Sequence, residues 1–410
     1  MRQRRALIPV AAATFLAVLA SAPAADATPS PSASAAKPAL YGTADPAHDG
    51  VWRQSYALLA LRAARLTPAH STTVWLTSQQ CADGGFLAYR PDTSAPCDPQ
   101  HEDTNATGIA LQAFAAIGRE KVPTAKATTW LRSAQNPDGG WPHTLGGASE
   151  PDSTGVAIGG LKAAHLDPAT VTKNGKTPYD ALRAFQAGCA AKPADRGSYG
   201  LSTQGKLTAS AKATADAVLG GLGATFTVKA PKKDTPAKAP HCAAGTKDAY
   251  ATLAPTAAAD AGAAYLTAQL TTGGDHFTAV TSGSAQPAPD YGTTADAVVA
   301  LTAGGRLTAA KSAYAWLAAN SAAWSQSNPT ALSQLILAAH ATGADPHAAG
   351  GTDLVKQLVA LGPAPAKAAH KAAKKKKVTH TRRNLAIVGG VIVVGTGAYF
   401  LLRLRKKRQG

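Results

Sequence analysis

Methionine occurs once in this chain of 410 residues, aromatic residues make up 6% of it, and charged residues only 16%. A chain so poor in large side chains and so rich in alanine reads as helix-rich and tightly packed. Cysteine is scarce as well. Cys81, Cys97, Cys189 and Cys242 form no Cys-x-x-Cys, which leaves metal binding without a motif. There is no Gly-x-x-x-x-Gly-Lys-Ser/Thr to cradle phosphate and no Gly-x-Ser-x-Gly to present a nucleophile. No metal and no cofactor are expected from these residues. Four cysteines without a metal pattern fit disulfides in an oxidising compartment. Three pairings are open, of which Cys81–Cys97 with Cys189–Cys242 closes one loop excursion each.

Acidic residues are the next shortage, and where they are missing matters. The net charge of +17 comes from the two ends: Arg2, Arg4 and Arg5, then 13 lysines and arginines from Lys367 onward with no acid among them. The remaining 25 basic residues face 24 acids, so the body is near neutral and a nucleic-acid partner is not expected. The basic start, the apolar run from Ala6 to Ala20 and the small residues up to Ala27 read as a signal peptide over 1–27. An Ala/Pro/Ser-rich linker follows over 28–45. Residues 384–402, "NLAIVGGVIVVGTGAYFLL", carry no charge and are long enough to span a bilayer. They lie between a polybasic stalk (363–383) and a basic tail (403–410), which reads as cytoplasmic. The expected location is the cell membrane, single-pass, with the body outside. The stalk's charge suits anionic lipid or an anionic wall polymer.

Between these ends, over 46–362, one phrase recurs. It is "TGIALQAF" from Thr107, "TGVAIGGL" from Thr154, "TADAVLGG" from Thr214, "TADAVVAL" from Thr294 and "TALSQLIL" from Thr330, with "QSYALLAL" from Gln54 as a first copy. A second amphipathic phrase follows each one, for example "KATTWLRSAQ". Six two-helix units predict an all-α fold, an α/α toroid of inner and outer helices. An exposed Lys/Pro-rich loop is expected over 227–249. Where the outer phrases end, a Gln–Gly–aromatic joint appears: Gln80, Gly84 and Phe86, then Gln135, Gly139 and Trp141. Pro137 stops the helix and Gly139 permits a left-handed turn. A joint repeated at successive units is read as structural.

Gln-x-x-x-Gly-x-Trp at Gln135, Gly139 and Trp141 resembles the QW motif of the prenyltransferase and squalene-oxidase repeat proteins, and the resemblance implies an α/α toroid. More distantly the chain resembles the toroid of transcobalamin-type carriers, which implies a corrinoid as a candidate small-molecule ligand. The chemistry of the enzymes in this group is not expected here. The Asp-x-Asp-Asp acid of the cyclases is missing, as is the zinc ligand set of the protein prenyltransferases.

In a toroid the starts of the inner helices converge on one mouth. Asp103, Asp152 and Asp290 are read as lying just before inner helices, as caps. Trp141, His143, Asp152, Tyr199, Asp290 and Tyr291 are the candidate ligand-binding residues there, and His276 lies near the same loops. No catalytic residue is assigned. The leading expectation is a non-enzymatic surface module that binds a ligand or partner at the mouth. The alternative is an extracellular polysaccharide-processing enzyme, with Asp152, His143 and Tyr199 as its candidate groups, and a terpenoid cyclase comes last.

Overall fold

The computed structural model describes residues 39–366, apart from 204–205, 245–246 and 281–285. The expected signal peptide and membrane span lie outside the described residues, among which no helix is long and apolar enough to cross a membrane.

The described residues are predominantly helical. Six helices, α1 (Gly50–Ala63), α3 (Thr104–Ile117), α5 (Pro151–Ala163), α7 (Ala211–Gly221), α9 (Tyr291–Ala303) and α12 (Pro329–Thr342), pack each on the next. The last returns to the first, so the six close into a ring. Outside it lie α2 (His70–Ser78), α4 (Lys121–Ala134), α6 (Pro178–Ala184), α8 (Pro255–Thr272), α10 (Leu307–Asn320) and α13 (Leu354–Ala360). Each leans on the inner helix before it in the chain. A single turn, α11 (Ala322–Ser325), leads into α12. Two antiparallel hairpins, β1–β2 (Tyr199–Thr203 with Lys206–Ser210) and β3–β4 (Thr278–Ala279 with Ala288–Pro289), occupy the approaches to α7 and α9.

Side-chain pattern separates the two layers. In α4 only Ala127, Trp130, Leu131 and Ala134 are buried, a stripe at helical spacing that faces the ring. In α12 nearly every residue from Pro329 to Thr342 is buried, as befits a helix enclosed on all sides. Inner helices approach closely where a side chain is missing. A Cβ on Gly155 of α5 would stand 2.3 Å from the Asp216 carbonyl oxygen of α7, so only glycine allows this contact.

The joints share one hydrogen-bond plan. Gln80, Gln135 and Gln186 each donate from Nε2 to the carbonyl of a glycine in their own loop, Gly84, Gly139 and Gly197. Each also reaches the next unit, at Pro123, Val171 and Ala258. Gly139 (φ +90) turns so tightly against the carbonyl of Thr177 that no Cβ fits. The aromatic that follows donates its backbone N–H to the threonine opening the next inner-helix phrase. Phe86 bonds Thr107, Trp141 bonds Thr154, Tyr199 bonds Thr214 and Phe277 bonds Thr294, at 2.9–3.0 Å. The last joint is made by the other end of the chain. Tyr41, fully buried, donates its N–H to Gln54 Oε1 and its hydroxyl to Pro363, beside the end of α13. Gln269 departs from the plan and bonds Ala194, and Asn320 bonds back to Trp316.

Both disulfides form, Cys81–Cys97 and Cys189–Cys242. The second ties the 227–249 loop to the third joint across 53 residues. Closing a loop of that length removes about 4 kcal/mol of chain entropy from the unfolded state.

Candidate functional site at the mouth of the ring

The starts of α1, α3, α5 and α7 surround a cavity of about 280 Å³. Its wall includes Trp52, Asp103, His143, Asp152, Lys212 and Asp216.

Asp103 caps α3. Its Oδ1 accepts from the backbone N–H groups of Asn105 (2.7 Å) and Ala106 (2.9 Å), which fixes the carboxylate and leaves Oδ2 free to meet His143 Nε2 at 3.0 Å. His143 arrives on the turn after Trp141, and its carbonyl accepts from Thr104 N–H. The hydrogen bond to Asp103 lifts the imidazole to about 9, with the charges of Asp103, Glu150 and Asp152 adding to it and burial opposing. His143 is therefore cationic at neutral pH. Asp152 was expected just ahead of its helix. It stands instead inside the first turn of α5, where Pro151 is the first residue and Glu150 the cap position.

A second cluster lies one turn deeper. Lys212 is paired with Asp216 four residues on in α7, and its Nζ lies 3.4 Å from Asp296 of α9. Asp296 Oδ1 also accepts from Tyr56 Oη (3.3 Å) and Gln334 Nε2 (3.0 Å). Asp216 has no such company. It is 3% exposed, and its Oδ1 has no hydrogen-bond partner among the described residues. Burial, with the charges of Asp296 and Asp152 adding to it, raises its carboxyl to about 7, against the pull of Lys212. Glu150 is also raised, by burial and then by Asp152. The mouth thus combines a carboxyl able to hold its proton near neutrality, a fixed carboxylate–imidazolium pair and a further acid. Proton transfer to and from a bound substrate is within reach of this set.

Behind the site a side chain packs inside the ring. Phe226, on the loop after α7, donates its N–H to Gln112 of α3 and packs its ring 5.2 Å from Tyr56 and 6.3 Å from Trp52.

Of the residues proposed from sequence, His143 and Asp152 share this cavity. Trp141 and Tyr199 do not face it: they are 0% and 1% exposed, enclosed in their joints. Asp290 caps α9 through Thr293 N–H, and Tyr291 stacks between Trp316 and Trp324 in a row that ends on His276. Sequence reasoning missed Trp52, Lys212, Asp216 and Asp296. A signal was present, since Asp216 and Asp296 are single acids inside Ala/Val-rich inner-helix phrases, where an unpaired charge is costly. Among the described residues one group, Cys81, Cys97 and Glu102, has metal-ligand proximity, but its two thiols are joined as a disulfide.

One consequence is open to titration. The His143 proton is bound more tightly in the fold than in the unfolded chain, so its stabilisation is complete below pH ~6.5 and is lost as pH rises through about 9. With the imidazole 55% exposed, screening holds the effect below about 1 kcal/mol. His143→Gln is expected to remove this decline, read as urea midpoints converging between wild type and variant as pH rises across that window. Parallel curves would show that the pair is not formed.

No family model and no curated protein matches the chain. Among solved structures it is similar to a protein from Actinoplanes, with 14% identity over 74% of this chain and 92% of that one at a TM-score of 0.46. A wild-type glycosidase is similar at 14% identity over 76% of this chain and 92% of that one, with a TM-score of 0.41. Likeness at this level carries no argument about chemistry, which rests on the residues of the mouth.

Proposed function

We propose that this chain is an exported enzyme that processes a carbohydrate polymer at the mouth of its ring, by general acid–base catalysis. The observation that carries the reading is Asp216, a buried carboxyl with one oxygen unpartnered, raised toward neutrality and set on a cavity wall with Asp152 and the Asp103–His143 pair. Hydrolysis of a glycosidic bond needs one carboxyl that gives a proton and one carboxylate that activates water or attacks. Asp216 is suited to the first role and Asp152 to the second. Trp52 supplies the apolar wall on which a sugar ring can lie. Phe226, packed on Tyr56 and Trp52 behind the site, speaks against a polyene substrate, which would need a dry chamber there. The two disulfides support an oxidising location, and residues 384–402 supply a membrane anchor in this reading. The joints support placing the chain with the QW-repeat proteins as a member without cyclase chemistry.

The test is reducing-end release from a panel of purified bacterial and plant polysaccharides by wild type, Asp152→Asn and Asp216→Asn. Release by wild type that both variants lose supports the reading. Capture of an intact small ligand such as a corrinoid in native mass spectrometry, with no release from any polymer, would replace it with a non-enzymatic binding module.

A further inference from the structure

The face opposite the mouth, where the inner helices end, carries exposed basic residues. Arg65 follows α1, Lys162 closes the last turn of α5, and Lys229, Lys232 and Lys233 lie on the loop that leaves α7; each of the five reaches solvent. That loop crosses the face. Gly223 lies near the Lys162 side chain, Ala230 meets Gly343 at the end of α12, and Thr235 N–H bonds the Gly305 carbonyl at the end of α9. Burial depresses the pKa of His340 in α12, and Lys229 and Arg65 depress it further, so two separate segments bring positive charge to one place. A cavity of about 390 Å³ opens there between Arg65 and His340, with Asp345 and His347 on its far wall. Cations at helix C-termini complement the helix dipole, which accounts for Lys162. It does not account for the loop lysines, which lie on no helix.

The chain leaves the ring on this same face. Ala366 N–H bonds the Thr67 carbonyl at 2.8 Å, two residues beyond Arg65. The 17 residues from Lys367 to Arg383 that follow carry eight lysines and arginines and no acid, and then the apolar stretch begins. Even fully extended they reach no more than ~60 Å. We propose that this basic face docks on the anionic headgroups of a lipid bilayer, holding the mouth away from the membrane. Charge would suit a wall polymer equally well. The short tether favours the bilayer, and for that point alone the proposal rests on the anchored reading of 384–402.

Hydrogen exchange on the full chain tests this, with vesicles of phosphatidylcholine carrying about one-third phosphatidylglycerol and with phosphatidylcholine alone, since each basic side chain at an anionic surface is worth about fivefold in affinity. Amides over 64–67 and 228–233 are expected to exchange about tenfold more slowly with the anionic vesicles, with those of the mouth over 143–153 unchanged. The triple variant Lys162→Gln, Lys229→Gln, Lys232→Gln is expected to lose this protection, because the three changes together cost about a hundredfold. Mouth amides that exchange as in wild type certify its fold. Equal protection by both vesicles, protection by neither, or protection only by a purified anionic wall polymer overturns the proposal. Whether the chain stays with vesicles through an alkaline wash reports separately on the span, so failure of the anchor and failure of the docking face are distinguishable.

Discussion

Trp141→Ala is expected to lower the free energy of unfolding by about 3–5 kcal/mol, the range for removing a buried tryptophan. Trp141 is fully buried in a cluster with Leu111, Trp130, Leu131, Leu161 and Val171, so truncation opens a cavity bordered by α3, α4 and α5 together. Its indole Nε1 also donates to the Leu131 carbonyl at 2.7 Å, near the end of α4, where carbonyls lack partners within the helix. Trp141→Phe separates the two contributions. It keeps most of the packing and gives up that hydrogen bond, for about 1–2 kcal/mol. Chemical denaturation followed by circular dichroism measures both. An alanine variant with the wild-type midpoint would remove the joint from the list of what holds the ring closed.

That joint also shows how far the amino-acid sequence could be read. The recurring inner phrase announced six helices, and the contacts close those six into a cycle. The disulfide pairing that closes one excursion each is the one that forms. What could not be read was the bond that locks each unit to the next, from an aromatic N–H to a threonine hydroxyl. Its partners are 21, 13, 15 and 17 residues apart in the four joints, because loops and hairpins of different length intervene, so no fixed spacing marks it. The ring closure at Tyr41 was hidden for another reason. Tyr41 falls in a stretch that reads as linker, and its partner Pro363 is brought to it only by the closing of the cycle. The site was half legible. His143 and Asp152 follow from the geometry of helix starts. Asp216 and Lys212 belong to an alanine-rich helix, and their importance depends on how closely α5, α7 and α9 pack, to which Gly155 contributes the closest approach of α5 to α7.

Asp216→Asn is expected to lower kcat/KM on the responsive polysaccharide by about 10²–10⁴-fold, the usual share of a positioned general acid or base. The physical reason lies in unequal company. Lys212 serves both carboxyls, but Asp296 also accepts from Tyr56 and Gln334, while Asp216 has no further donor among the described residues to hold it ionised. As a proton donor it fails once deprotonated, so wild-type kcat/KM is expected to fall above about pH 7. The residual activity of the variant should show no such descending limb, since the carboxamide that replaces the carboxyl has no proton to lose there. Stability moves in the opposite sense and separates chemistry from folding. A carboxyl raised in the fold destabilises it increasingly as pH climbs from ~4 towards 7, so the variant should gain on wild type over that interval. A catalytic loss accompanied by unfolding at every pH would assign Asp216 to the framework instead. A loss confined to kcat, with the fold retained and KM and the Asp103–His143 titration intact, would place it at the reacting bond.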